Sequence, residues 1–143
     1  MVGLFESYSL FFKNYFHLSG KSSRSEYWFA VLMNFIIRLI ISILIFTIYS
    51  VFTGASDLIL SLFFAIIGLV IYELIILIPS INLIIRRYRD AGISPVWFIV
   101  TNFVPFVMEI FASIMENVPY YLNIIILVLL IIDFIIKIMP SKK

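Results

Sequence analysis

The sequence predicts an all-α membrane protein: a four-transmembrane-helix bundle preceded by a short interfacial amphipathic helix, all in one domain of residues 1–143. Three observations predict it. Four apolar stretches, residues 28–52, 58–85, 95–115 and 119–138, each reach or exceed the roughly 20 residues that cross a bilayer core. The composition, 64% hydrophobic and 13% charged with a mean hydropathy of +1.17, lies outside the range of soluble globular domains. The basic residues also alternate by segment, as they do when topology places them.

Residues 4–16 come first. Leu4, Phe5, Tyr8, Phe11, Phe12, Tyr15 and Phe16 recur at helical spacing, with Glu6, Ser9, Lys13 and Asn14 mostly elsewhere around the turn. This is the pattern of a helix lying in the interface of the cytoplasmic leaflet. Packing against the end of the bundle produces the same pattern, since apolar periodicity does not distinguish lipid from protein.

In the first span, Ser23 followed by Glu26 is a capping-box pattern that starts a helix just before Tyr27 and Trp28. The preceding residues lack the apolar core and small-residue site of a cleaved signal peptide, so the span is expected to be its own insertion signal. Ser56 and Asp57 open the second span, whose 28 residues would run roughly 42 Å against a core of about 30 Å. Tilt or breakage is needed, and Pro79 is a candidate kink. Ser94 and Pro95 read as N-cap and first residue of the third span, with Pro105 as a second kink and Asn82 and Asn102 near enough to satisfy freed backbone groups. Asn117 and Pro119 open the fourth. β-branched runs such as Ile36, Ile37, Ile40 and Ile41 still become helix, because lipid offers the backbone no other partner.

Lys13, Lys21 and Arg24 precede the first span, Arg86, Arg87 and Arg89 follow the second, and Lys137, Lys142 and Lys143 end the chain. The other two connections hold Asp57 and Glu116 and no base. The positive-inside rule therefore puts both termini and the middle loop in the cytoplasm. Tyr27, Trp28, Tyr88 and Trp97 fall at the cytoplasmic aromatic belt, and Tyr120 and Tyr121 at the opposite one. A net charge of +2 does not suggest a nucleic-acid partner, and zero cysteines exclude disulfides, thiolate metal sites and a cysteine nucleophile. No cofactor is expected.

Charges within spans are the first candidates for function, since even a lenient scale charges roughly 2.5–3.5 kcal/mol for one at the bilayer centre. Arg38 and Glu73 fall near mid-depth of adjacent antiparallel spans and form the simplest ion pair. Asp133 competes for Arg38, although Lys137 at i,i+4 offers it a local partner. The second candidate is cytoplasmic: Lys21, Arg24, Glu26, Arg86, Arg87, Arg89 and Asp90 converge on one interface, where they either meet anionic lipid headgroups or pair with one another.

It is here that a family appears. Gly20-Lys21-Ser22-Ser23-Arg24-Ser25-Glu26-Tyr27-Trp28 resembles the G-R-x-x-R-x-E-[FY]-W signature of the DUF805 family, the YhaH-like small bacterial inner-membrane proteins of unknown function. Pro79 followed by Arg86-Arg87-Tyr88-Arg89-Asp90-Ala91-Gly92-Ile93-Ser94 resembles that family's P…R-R-L-H-D-x-G-x-S signature. The resemblance covers nearly the whole chain and implies a bacterial cytoplasmic membrane and a four-helix layout, with no established activity. Lys21 stands for the usual first arginine, Arg89 for a common histidine, Pro95-Val96 for a frequent Gly-Trp, and Pro140-Ser141-Lys142-Lys143 for a glycine-rich tail.

For an enzyme, Glu26, Asp90 or His17 would supply acid–base work, but no metal cluster, nucleophile elbow or phosphate-cradling glycine loop accompanies them. No catalytic role is assigned. The expected function is that of a lipid-interacting or accessory component of a membrane complex, with membrane lipids, other membrane proteins or further copies of itself as partners. A subunit of an oligomeric small-solute or ion transporter is the alternative. The topology is directly testable: a membrane-impermeant maleimide should label Asp57→Cys and Glu116→Cys in intact cells and Ser141→Cys only after lysis. Labelling of position 141 from outside would overturn it.

Overall fold

The computed structural model describes residues 2–53, 57–115 and 118–142, and among them it is helical with no strand. The helices are α1 (Leu4–Lys13), α2 (Arg24–Phe52), α3 (Leu58–Asp90), α4 (Val104–Ile114) and α5 (Tyr120–Ile138), with a π-helical turn, Ile99–Phe103, leading into α4. Among the described residues α2, α3 and α5 are long and apolar enough to cross a membrane, and Ile99–Ile114 is a shorter apolar stretch. The arrangement is that of a membrane helical bundle. Ser56, Glu116, Asn117 and Lys143 lie outside the described residues.

Helix ends depart from the apolar boundaries because caps set them. The Ser23 hydroxyl accepts from the Glu26 amide at 3.2 Å, which starts α2 at Arg24 rather than at residue 28. At the other end of the hairpin, α3 runs past residue 85 through the arginine-rich segment until Gly92 adopts φ +75°. The Ile93 amide then reaches the Tyr88 carbonyl and the Gly92 amide the Arg89 carbonyl, both at 3.0 Å. These are the two bonds of a Schellman cap, which needs the left-handed residue that glycine supplies. Gly20, with φ +96°, turns the chain between α1 and α2.

The third span differs most from expectation. Pro95 sits in consecutive i,i+3 turns, with Trp97, Phe98 and Ile99 amides bonded to Ser94, Pro95 and Val96 carbonyls, so residues 95 and 96 form a turn, helical winding starts at Trp97, and the π turn follows from Ile99. The helix ends where Met115 turns extended (φ −81°, ψ 130°). At about 1.5 Å per residue, Ile99–Ile114 is roughly 24 Å long, less than a bilayer core. Pro105 follows the π turn directly, within a helix that runs on from it, so the irregular winding and the residue that lacks an amide fall together. α5 begins after Pro119, which is its N-cap rather than its first residue.

Two apolar clusters hold the bundle. Phe11, Tyr27, Ala30, Ile76 and Leu83 join α1, α2 and α3, with Tyr8, Trp28, Tyr72 and Ile84 around them. Tyr88, Ala91 and Ile136 join α3 to α5, flanked by Ile93, Ile132 and Met139. α1 therefore docks on the hairpin through Phe11 and Ser7, while Phe5 and Phe16, both more than three-quarters exposed, point away from it. It is also shorter than 4–16, ending at Lys13. Tyr27 and Tyr88 are core residues, not members of an aromatic belt. Higher up, α2 and α3 pack tightly: a Cβ on Gly68 would stand 2.1 Å from Ile45 Cδ1.

Pro79 lies inside an unbroken α3. Its ring nitrogen cannot donate to the Ile75 carbonyl, and the Tyr15 hydroxyl donates to that oxygen instead, at 2.7 Å. Asn82 does not serve the freed group; its amide donates to the Tyr15 carbonyl. Removing the hydroxyl (Tyr15→Phe) should cost roughly 1–3 kcal/mol, read as a lower Tm in detergent. In a Pro79→Ala background, where residue 79 can donate, the loss should nearly vanish; an equal loss in both backgrounds would refute this role.

Candidate functional site

The last turn of α3 is where the elements meet. Successive residues of a helix project about 100° apart, so Arg86, Arg87, Tyr88, Arg89 and Asp90 fan out in different directions. Arg86 reaches α2, its guanidinium 3.2 Å from Glu26 Oε1, and the Ser22 hydroxyl donates to the same oxygen at 2.9 Å. The Ser22 amide closes the contact on the Arg86 carbonyl at 3.3 Å. The Glu26 carboxylate thus serves Arg86 and Ser22, and only half of the expected capping box forms. Arg86 Nε is the one buried side-chain polar atom among the described residues without a hydrogen-bond partner.

Arg87 is fully buried and turns toward α5. Its Nε donates to the Lys137 carbonyl at 3.0 Å and another nitrogen to the Met139 carbonyl, so its guanidinium satisfies carbonyls that the C-terminus of α5 leaves unpaired. A third nitrogen pairs with Asp90. The same carboxylate accepts from the Ser141 hydroxyl, and the Asp90 carbonyl accepts from the Lys142 amide at 2.7 Å. Arg89 donates to the Leu18 carbonyl in the α1–α2 connection. α2, α5 and the α1–α2 connection are thereby each held by a different residue at the end of α3.

Tyr88 opens onto a second polar centre. Its hydroxyl donates to Asp133 Oδ1 at 2.6 Å and lies 2.6 Å from the Thr101 hydroxyl. Asn102 donates to the same Asp133 oxygen at 2.8 Å, and Lys137 pairs with the other. The Lys137 ammonium also lies 5.8 Å from the Tyr27 ring centre. The π turn matters here, because its wider winding lets the adjacent residues Thr101 and Asn102 both address this centre. Asp133 is not a partner of Arg38. That arginine meets Glu73 through two guanidinium nitrogens, Nη2 to Oε2 at 3.1 Å, and both side chains are partly exposed.

The cytoplasmic cluster expected from sequence thus divides. Glu26, Arg86, Arg87 and Asp90 are buried and paired with one another or with backbone, so their charges are not offered to headgroups. Lys21, Arg24 and Arg89 remain at or near the surface, Lys21 donating to the Lys142 carbonyl at 3.2 Å. Arg24 has no hydrogen bond or ion pair with any described residue and lines an open groove of about 630 Å³ with Ser23, Ser25, Trp28, Phe29, Ile138 and Ser141. His17 is exposed. Thr101 and Ser22 were not singled out by sequence; small polar residues in turns carry no distinguishing signal until their partners are known.

Burial makes the Arg87–Asp90 pair a sensitive point. Arg87→Gln should destabilise by about 3–5 kcal/mol, since an unpaired carboxylate is left inside, whereas Arg24→Gln should change stability by less than about 0.5 kcal/mol. Thermal unfolding in detergent checks both, and partial recovery in Arg87→Gln/Asp90→Asn would identify the stranded charge as the cause.

The family model described as "Protein of unknown function (DUF805)" matches residues 15–137, a stretch that takes in both arginine-bearing motifs and leaves α1 outside. No curated protein and no solved structure matches the chain.

Proposed function

The chain belongs to the DUF805 family of proteins of unknown function, and from that premise we propose that it is a lipid-interacting component of the bacterial cytoplasmic membrane. It acts there with both termini inside, as an accessory to a membrane complex. In this reading α2, α3 and α5 span the bilayer, the shorter Ile99–Ile114 stretch crosses with help from its flanks, and α1 lies at the cytoplasmic interface with Phe5 and Phe16 toward lipid.

The observation that carries the reading is the groove at the start of α2. Arg24, with no hydrogen bond or ion pair to a described residue, lines it together with Ser23, Ser25 and Ser141 and with the apolar Trp28, Phe29 and Ile138. A cation without an internal partner beside aromatic and aliphatic surface suits a phosphate headgroup with its acyl chains. Lys21 and Arg89 supply further positive charge nearby, while Arg86 and Arg87 are already committed inside the protein.

Native mass spectrometry of the protein purified in mild detergent tests this. Wild type should retain anionic phospholipid, and Arg24→Gln should lose most of it while keeping its Tm. Unchanged lipid occupancy in the variant would overturn the proposal.

A further inference from the structure

Arg38 and Glu73 stand roughly 20–25 Å along their helices from the basic end, and the solvent-accessible fractions of their side chains are 39% and 48%. This face carries the charges where a bilayer's hydrocarbon would be. The residues sharing it are apolar or small: Phe35, Ser42 and Phe46 at helical spacing from Arg38, and Leu62, Ile66 and Leu69 at helical spacing from Glu73. Between the two rows runs a groove of about 340 Å³, lined by Ser42, Ile43, Phe46, Leu62 and Ala65. Apolar rows of this kind need no protein cover in a membrane, because lipid suffices. The ion pair is different, since even a paired charge in contact with acyl chains lacks the dipoles that stabilise it.

We propose that this face is a homodimer interface, in which the Arg38 of each copy also meets the Glu73 of the other. The charge pattern selects a second copy over an unrelated partner. Two copies inserted with the same orientation are related by a two-fold axis along the membrane normal, and a half-turn about that axis reverses every in-plane vector. The vector from Arg38 to Glu73 lies across the α2–α3 hairpin, so the partner's vector runs antiparallel to it. Each guanidinium then faces the opposite carboxylate, and four charges close into a neutral ring. An isologous contact requires such self-complementarity, and the small Ser42, one turn along α2 from Arg38, allows close approach.

The test exploits the symmetry. The doubly swapped chain, Arg38→Glu/Glu73→Arg, keeps the pair within each copy and keeps complementarity to itself, yet it presents like charges to a wild-type copy. Ser42→Cys is placed in both forms of this cysteine-free chain, the two are tagged differently, co-expressed and oxidised in membranes. Wild-type and swapped homodimers should both cross-link, with mixed dimers depleted at least about tenfold, equivalent to roughly 1.4 kcal/mol. Mixed dimers as abundant as homodimers would overturn the proposal. So would a wild-type protein that is monomeric in both native membranes and lipid nanodiscs, or one cross-linked through position 42 chiefly to another protein. Should the swapped chain fail to fold, cross-linking of the wild-type Ser42→Cys copies alone decides between dimer and monomer.

Discussion

The buried Arg87 side chain is the interaction on which the rest of this structure depends. Its guanidinium simultaneously neutralises Asp90, binds two carbonyls at the end of α5, and through Asp90 ties down Ser141 and Lys142. A fully buried guanidinium is tolerable only when every face of its planar fork has an acceptor, and here backbone carbonyls supply what a single carboxylate cannot. The residue is thus at once an ion-pair partner, a helix cap and a tether. It holds α5 against α3 at the arginine-rich end of the bundle.

The same logic extends inward. A membrane interior offers no hydrogen bonds, so a polar group that leaves the interface brings its partner with it. Pro79 frees a carbonyl that Tyr15 takes up, and Asp133 receives Tyr88, Asn102 and Lys137 together. Tyr72 donates to Asn34 at 2.7 Å across the hairpin. These contacts join elements distant in sequence, and they give register to helices whose apolar surfaces would slide freely against lipid-like neighbours. Specificity in such a bundle comes from sparse polar contacts, and van der Waals packing fills the space between them.

Two sites fall outside this economy. Arg24 has no internal partner, and the Arg38–Glu73 pair has one yet remains partly exposed. Both therefore point outward, the first to a surface of mixed polarity at the basic end, the second to the bundle's lateral face. Glu109, exposed on α4 and without a partner among the described residues, belongs to the same class.

Much was legible from sequence because lipid simplifies the problem. Length and apolarity mark the spans, the basic residues mark one end, and mid-depth charges announce a pairing. The Ser23 cap was also readable, since it acts on its own backbone neighbours. What sequence could not supply was direction. Seven charged residues near one interface are alike in composition, and only the rotation of about 100° per residue, combined with where α2 and α5 stand, sends Arg86 and Arg87 inward and leaves Arg24 outside. Asp133 had two plausible bases, and the pairing of Arg38 with Glu73 across the α2–α3 hairpin leaves it to Lys137, one turn along α5. The third span, too, depended on backbone turns around Pro95 that hydropathy does not register. Local and solvent-driven features were determined by the sequence alone; the choice of partner for each polar group was a property of the tertiary structure, because it depends on which helices become neighbours.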